Sequence, residues 1–400
     1  MQRYFSIDMT RGLIMMIMAI DHASGPWLSN VHLPEIVLKG IPDAVQFSHY
    51  HNLAHEISRV ITHVCAPGFQ LLAGIGLAIS VCRSLAKGKS SWVVSLDMIL
   101  RGVVLILIEF YVMRWPYGAG PYLFLVLCCI GSSIILFSVL RLLPTLIILL
   151  ASLAVLAGAP LYAPESIVMP SGPDYLRLIW INVANDMTAL PPPAFVIMYP
   201  ILPWIGCFGL GWALGTWHER RSTTGGLPGS WLFVGGLILT CSGLALRWWG
   251  GFYGDRLPGG EGGPWTAAFW CLSKYPPSPA FTLTFVGIVI LLWALLRPVD
   301  RLTALPGLLN IPNIFGRVAL FFFVLHFFYF AITWKLCNHG EYMLTFIDRP
   351  AQLLQEPGFE MKVPLSLVYV LWLSGLALLW PLCWYYDQLR QRYRTILRYF

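Results

Sequence analysis

Long apolar runs, almost free of interruption, decide what this chain can fold into. Runs such as 145–162 and 281–296 contain no charged residue. About 20 mainly apolar residues make a helix that crosses a bilayer, whereas the strands of a membrane barrel are shorter and alternate in polarity. Ten runs qualify as candidate spans: 9–28, 60–82, 96–113, 122–140, 145–162, 194–217, 231–249, 281–296, 314–334 and 364–384. Composition closes the other routes. Charged residues make up 11% of the 400, and mean hydropathy is +0.69. An ordinary soluble domain carries about 25% charged residues. So few charges cannot cover a water-facing surface, which excludes a soluble enzyme, a disordered chain and the usual nucleic-acid binder. The expectation is an all-α integral membrane protein with about ten transmembrane helices, embedded in the lipid bilayer. It forms one domain over 1–400, and no nucleic-acid partner is expected.

Basic residues orient the chain, because Lys and Arg collect in short cytoplasmic loops. With the N-terminus inside, 16 of the 26 basic residues are cytoplasmic, among them Arg3, Arg11, Arg83, Lys87, Arg101, Arg141, Arg297, Arg317 and Arg390. An even number of spans then places both termini in the cytoplasm. The long connections 29–59, 163–193, 250–280 and 335–363 fall on the other side. They are rich in Pro, Gly and aromatic residues, and connections of that length usually carry function or are disordered. Glycines in the sixth span (Gly206, Gly209, Gly211, Gly215) and in the second (Gly74, Gly76) read as close-packing devices. Pro67 and Pro203 are expected to interrupt their helices.

An ionisable residue inside a span is costly and is a functional candidate by default. Asp21 and His22 end the first span, and His63 opens the second. Glu109 lies in the third, where a structural ion pair is as good a reading as a proton acceptor. His326 lies in the ninth, where a packing role competes with a chemical one. Arg11 and His22 are eleven residues apart, about 16 Å along a helix. A phosphorylated cofactor entering from the cytoplasm meets the arginine first, and a pantetheine arm is long enough to reach the histidine. Asp21 and His22 are neighbours and point about 100° apart, so Asp21 is better placed to orient His63.

Six of the nine histidines lie within the first 63 residues: His22, His32, His49, His51, His55 and His63. No HExxH and no cysteine cluster accompanies them, so no metal is expected. Imidazole titrates near neutrality and serves as acid, base or nucleophile. That points to acid–base or nucleophilic chemistry on the outer side.

The motifs carry a resemblance. Ser6-Ile7-Asp8-Met9-Thr10-Arg11-Gly12 runs into Met18-Ala19-Ile20-Asp21-His22. Ile61-Thr62-His63-Val64-Cys65-Ala66-Pro67 leads to Leu72-Ala73-Gly74. Tyr199-Pro200-Ile201-Leu202-Pro203-Trp204-Ile205-Gly206, Tyr275-Pro276-Pro277-Ser278-Pro279, and Gly316-Arg317 with His326 follow in order. Jointly these resemble the heparan-alpha-glucosaminide N-acetyltransferase family and its bacterial relatives. The resemblance implies a ten-span unit that takes acetyl-CoA from the cytoplasmic side and acetylates an amino sugar on the other. The spacing of Arg11 and His22 is also similar to a functional pair in bacterial membrane sugar O-acyltransferases. By that comparison Arg11 serves the CoA end and His22 the transfer step. In the animal enzyme the active histidine lies about eleven residues further on, where His32 is nearest.

The expected catalytic residues are therefore His22, Asp21, His63 and His32. The expected acetyl-CoA contacts are Arg11, Arg83, Lys87, Arg317 and His326. The expected activity is transfer of an acetyl group from cytoplasmic acetyl-CoA to an amine or hydroxyl of a sugar or glycan acceptor on the far side, in a bacterial cytoplasmic (inner) membrane. A homo-oligomer is left open. The alternative is a proton-coupled transporter, which intramembrane Asp, Glu and His also suit.

Overall fold

The computed structural model describes residues 4–24, 53–117, 122–162, 179–180, 195–254, 263–270, 272, 274, 277–337 and 364–393. His32, His49, His51 and most of the four long connections lie outside them, as does the side chain of His55. The described chain is built from helices α1 (Phe5–Ser24), α2 (Leu53–Thr62), α3 (Cys65–Ala86), α4 (Ser91–Leu107), α5 (Val126–Leu140) and α6 (Thr145–Tyr162). It continues with α7 (Ile201–Arg220), α8 (Gly229–Trp249), α9 (Pro279–Leu296), α10 (Asn310–Arg317), α11 (Ala319–Cys337) and α12 (Leu365–Arg392). Two short strands, β1 (Tyr122–Phe124) and β2 (Phe195–Ile197), pair in parallel.

A helix covers the greater part of every run expected to span. Among the described residues, five helical stretches are long and apolar enough to cross a membrane: Ile57–Ala86, Gly229–Trp249, Pro279–Arg301, Ala319–Cys337 and Leu365–Arg392. The others are shorter or more polar; α1, for example, carries Asp8, Arg11 and Asp21.

Several boundaries differ from the sequence reading. The second run begins as two helices, because the chain turns at His63 and Val64 between α2 and α3. The ninth breaks at Val318, whose backbone (φ −117°, ψ 38°) leaves the helical region. Residues 122–124 and 195–197 are extended rather than helical. Pro67 and Pro203 interrupt nothing. Each is the third residue of its helix, where the backbone N–H has no intrahelical acceptor to lose. Pro381 lies in the interior of α12.

Helices surrounded by lipid gain little from excluding water, so close van der Waals approach holds them together. Glycine permits that approach at several crossings. A Cβ on Gly74 would strike the backbone of Phe208, and one on Gly211 or Gly215 that of Leu71 or Ile75, which joins α3 to α7. Gly102 and Gly131 meet between α4 and α5, and Gly236 and Gly287 between α8 and α9. Gly12 packs on the carbonyl of Pro312 and Gly316 on that of Asp8, which locks α1 to α10.

Helix ends are satisfied from elsewhere in the fold. The Asp300 carboxylate accepts from the Ser6 N–H (2.8 Å) and the Ser6 hydroxyl (2.6 Å), and it pairs with Arg297. A carboxylate at that end of α1 is favoured by the helix dipole. Glu109 binds backbone N–H groups rather than an arginine or lysine among the described residues. It sits in a π-helical turn, Ile108–Val112, and accepts from the N–H groups of Leu125 (3.2 Å) and Cys128 (2.7 Å). It caps the start of α5 across a gap in sequence.

Candidate functional site

Helix α1 is the backbone of the site. Eleven steps of about 100° bring His22 to within about 20° of the direction of Arg11. Arg11, Met15, Met18 and His22 therefore form one stripe along α1, with the arginine and the histidine at opposite ends.

The Arg11 end opens on a cavity of about 370 Å³ walled by α1, α3, α4, α5, α10, α11 and α12. Four arginines line it: Arg11, Arg101, Arg317 and Arg390. Arg11 reaches the carbonyls of Gly316 (3.2 Å) and Leu72 (3.3 Å) and the Asp8 carboxylate (3.5 Å). Gly76 leaves the room: a Cβ there would lie 2.9 Å from the Arg11 guanidinium. Arg317 pairs with Asp387 at 2.7 Å, and Arg101 with Asp97 at 3.2 Å. Beyond the arginines the wall is apolar, with Met15, Phe69, Leu72, Leu105, Leu127 and Phe323 among its residues. The lining combines four arginines with an apolar wall, chemistry suited to a ligand with an anionic head and an apolar arm.

The stripe ends on a second histidine. His22 Nδ1 lies 2.6 Å from His326 Nε2, and His326 Nδ1 lies 3.0 Å from the carbonyl oxygen of Phe322. The ring centres are 4.9 Å apart and the rings are inclined by only 26°, so the two nitrogens meet on facing edges. His326 is fully buried, with Phe322, Phe323, Phe327 and Phe330 around it. Phe323 joins the two halves, since it lines the cavity and stands 6.4 Å from the His22 ring.

Asp21 is not turned to His63. It pairs with Arg59 at 2.8 Å, both side chains buried, and Arg59 also reaches the Thr62 hydroxyl at 3.2 Å. The turn at His63 is the reason. It ends α2 with Arg59 facing α1 and places the His63 ring against Phe281 (5.5 Å) and Phe285 (5.1 Å) of α9. Arg83 and Lys87 are not brought to the cavity. Arg83 grips Glu219 of α7 with Nε and Nη2 (2.8 and 3.0 Å) and lies over the Tyr4 ring, while Lys87 is exposed just past α3. Arg11 and Arg317 do reach it. His326 stands beyond the cavity, on His22. Arg101 and Arg390 also line the cavity but were not singled out from the sequence. Their only signal in the sequence was membership of the cytoplasmic basic set. Among the described residues, no three His, Cys, Asp or Glu side chains group as a metal site needs.

The protein-family model described as "Heparan-alpha-glucosaminide N-acetyltransferase, catalytic" matches residues 36–237. No curated protein matches the chain. The matched stretch contains Arg59, His63, Arg83 and Arg101. It begins after α1 and ends within α8, so it leaves out Arg11, His22, Arg317 and His326.

Proposed function

The chain belongs to the heparan-alpha-glucosaminide N-acetyltransferase family of membrane acetyltransferases, and from that premise we propose that it moves an acetyl group from cytoplasmic acetyl-CoA to a sugar or glycan amine or hydroxyl on the other side. All ten helical segments cross the bilayer in this reading, with both termini inside, as one domain in a cytoplasmic membrane.

A single observation carries the reading: one face of α1 joins a cavity lined by four arginines to His22. The arginines hold the phosphates of the donor by charge-assisted hydrogen bonds. The pantetheine arm lies along the apolar wall, and the thioester points toward His22. The same imidazole lone pair serves either of two routes. As base, it takes the proton of the acceptor amine or hydroxyl while that group attacks the thioester carbonyl. The C–S bond then breaks and the proton passes to the departing thiolate. As nucleophile, it attacks the thioester carbonyl, the C–S bond breaks to give an acetyl-imidazolium and CoA thiolate, and the acceptor then takes the acetyl group, freeing the imidazole while its proton passes to the thiolate. Arg59 and Asp21 brace the segment that carries His22.

Radiolabelled acetyl-CoA tests this on the full chain in detergent, with glucosamine as the probe acceptor. The wild type is expected to bind the donor and release CoA. His22→Ala should lose at least about 10²-fold of the transfer rate with donor binding kept. Arg11→Gln should weaken donor binding. Wild-type protein that binds no acetyl-CoA, or His22→Ala with unchanged transfer, overturns the reading.

A further inference from the structure

We propose that His326 is a positioning residue that fixes His22 as its Nδ1–H tautomer and so makes Nε2 the reacting nitrogen. The inference rests on the reading of His22 as the transfer residue, and the proton positions follow from the geometry once His326 is neutral, as its burial among phenylalanines favours. A carbonyl oxygen can only accept. The 3.0 Å contact of His326 Nδ1 with the Phe322 carbonyl therefore places the His326 proton on Nδ1. A neutral imidazole has one donor and one acceptor nitrogen, so His326 Nε2 is the acceptor. The nitrogen it faces at 2.6 Å, His22 Nδ1, must then carry a proton. That leaves the lone pair of His22 on Nε2, the nitrogen on the opposite side of the ring from His326.

The consequence is a relay of three groups: Phe322 carbonyl, His326, His22. In a serine protease a carboxylate selects the tautomer of the catalytic imidazole and stabilises its protonated form. Here a neutral imidazole does both. When His22 takes a proton at Nε2, its Nδ1–H bond to His326 becomes charge-assisted and shortens. Inside a bilayer this arrangement avoids burying an anion, which is costly there. The packing holds it in place. Phe322 stacks on His326 with an interplanar angle of 7°, and the Phe327 ring centre lies 4.1 Å from that of His22.

The tautomer is read directly by ¹⁵N NMR of histidine-labelled full-length protein in lipid nanodiscs. His22 is assigned as the signal absent from His22→Gln. The expected result is a protonated Nδ1 and an unprotonated Nε2 in the wild type, with the Nε2–H form gaining in His326→Leu. Kinetics give the second arm. His326→Leu should lower turnover with saturating acetyl-CoA and glucosamine by about 10²–10⁴-fold, with donor affinity unchanged within about twofold. His326→Gln, whose amide oxygen can stand where Nε2 stood, should recover at least about tenfold of that loss. An Nε2–H tautomer in wild-type protein overturns the inference. So does a His326→Leu variant that keeps its turnover, or a Gln variant no better than Leu. An inactive wild type, or an active His22→Gln, defeats the transfer reading instead, and the NMR arm still decides the role of His326.

Discussion

Asp21 and Arg59 form an ion pair of 2.8 Å between α1 and α2, with side chains only 5% and 1% exposed. It stands one residue before His22, so it sets where the end of α1 lies. Breaking it from one side leaves a buried charge, at a cost of about 3–5 kcal/mol. Arg59→Leu should therefore lower thermal stability sharply, whereas Asp21→Leu with Arg59→Leu together should restore most of it. Melting in detergent, read by tryptophan fluorescence, separates the two. Equal losses in the single and double variants would show that the pair is not coupled.

The cavity arginines and the Arg83 cluster should behave differently. Arg101→Gln and Arg390→Gln are each expected to weaken acetyl-CoA binding by about 10-fold or more, the worth of a charge-assisted hydrogen bond. Arg83→Gln, which loses contacts to Glu219 and Tyr4 away from the cavity, should leave that affinity unchanged within about twofold. Titration calorimetry on the three variants makes the comparison, and equal effects would mean that the cavity is not the donor site.

Gly76 matters for the space it leaves. Gly76→Val puts carbon atoms where the Arg11 guanidinium lies. Donor affinity should fall by about 10-fold, with the helical circular dichroism signal retained. Gly88, which has open space around it, supplies the control: Gly88→Asn tolerates the left-handed backbone (φ 79°) and should bind like wild type.

Phe323 stands between the cavity and the histidine pair. On the proposed reading, a larger ring there narrows the route of the thioester. Phe323→Trp is expected to reduce turnover by at least about 10-fold while donor affinity moves by less than about threefold, since misplacing a reacting group by about 1 Å costs up to 10²-fold. A variant as active as wild type would show that the thioester does not pass this ring.

Glu109 should prove to be architectural. Glu109→Leu strands the N–H groups of Leu125 and Cys128 and should cost about 1–3 kcal/mol, seen as a lower melting point. Glu109→Gln keeps one acceptor oxygen and should lose less. Turnover of whatever protein remains folded should be near wild type in both. A stable Leu variant with abolished turnover would instead make Glu109 a proton carrier.

The residues fall into two groups by how they could be read. Arg11, His22 and Arg317 were legible because each stands where hydropathy says no charge should be, and because eleven residues of helix fix the distance from Arg11 to His22. The glycine crossings were legible too, since small residues in an apolar helix have few other uses. The role of Asp21 was not, because its direction depends on a turn at His63 that no apolar pattern marks. The capping contacts of Glu109 were not legible for a related reason: the N–H groups it satisfies belong to the start of a helix that follows β1.

Apolar pattern and charge alone determined the all-α membrane class and the helical segments, and the ordered motifs pointed to the acetyltransferase family. Each of those signals is local and accumulates along the chain, so it survives without coordinates. The tertiary structure alone decided which polar groups meet. His22 and His326 are 304 residues apart and share one hydrogen bond. Arg101 and Arg390 join Arg11 and Arg317 only where four helices converge, and of these α1 and α10 are held together by Gly12 and Gly316. A hydrogen bond depends on a few tenths of an ångström and on the direction of two side chains. Spacing along one helix can supply that within the helix. Between helices it is set by how the backbones cross.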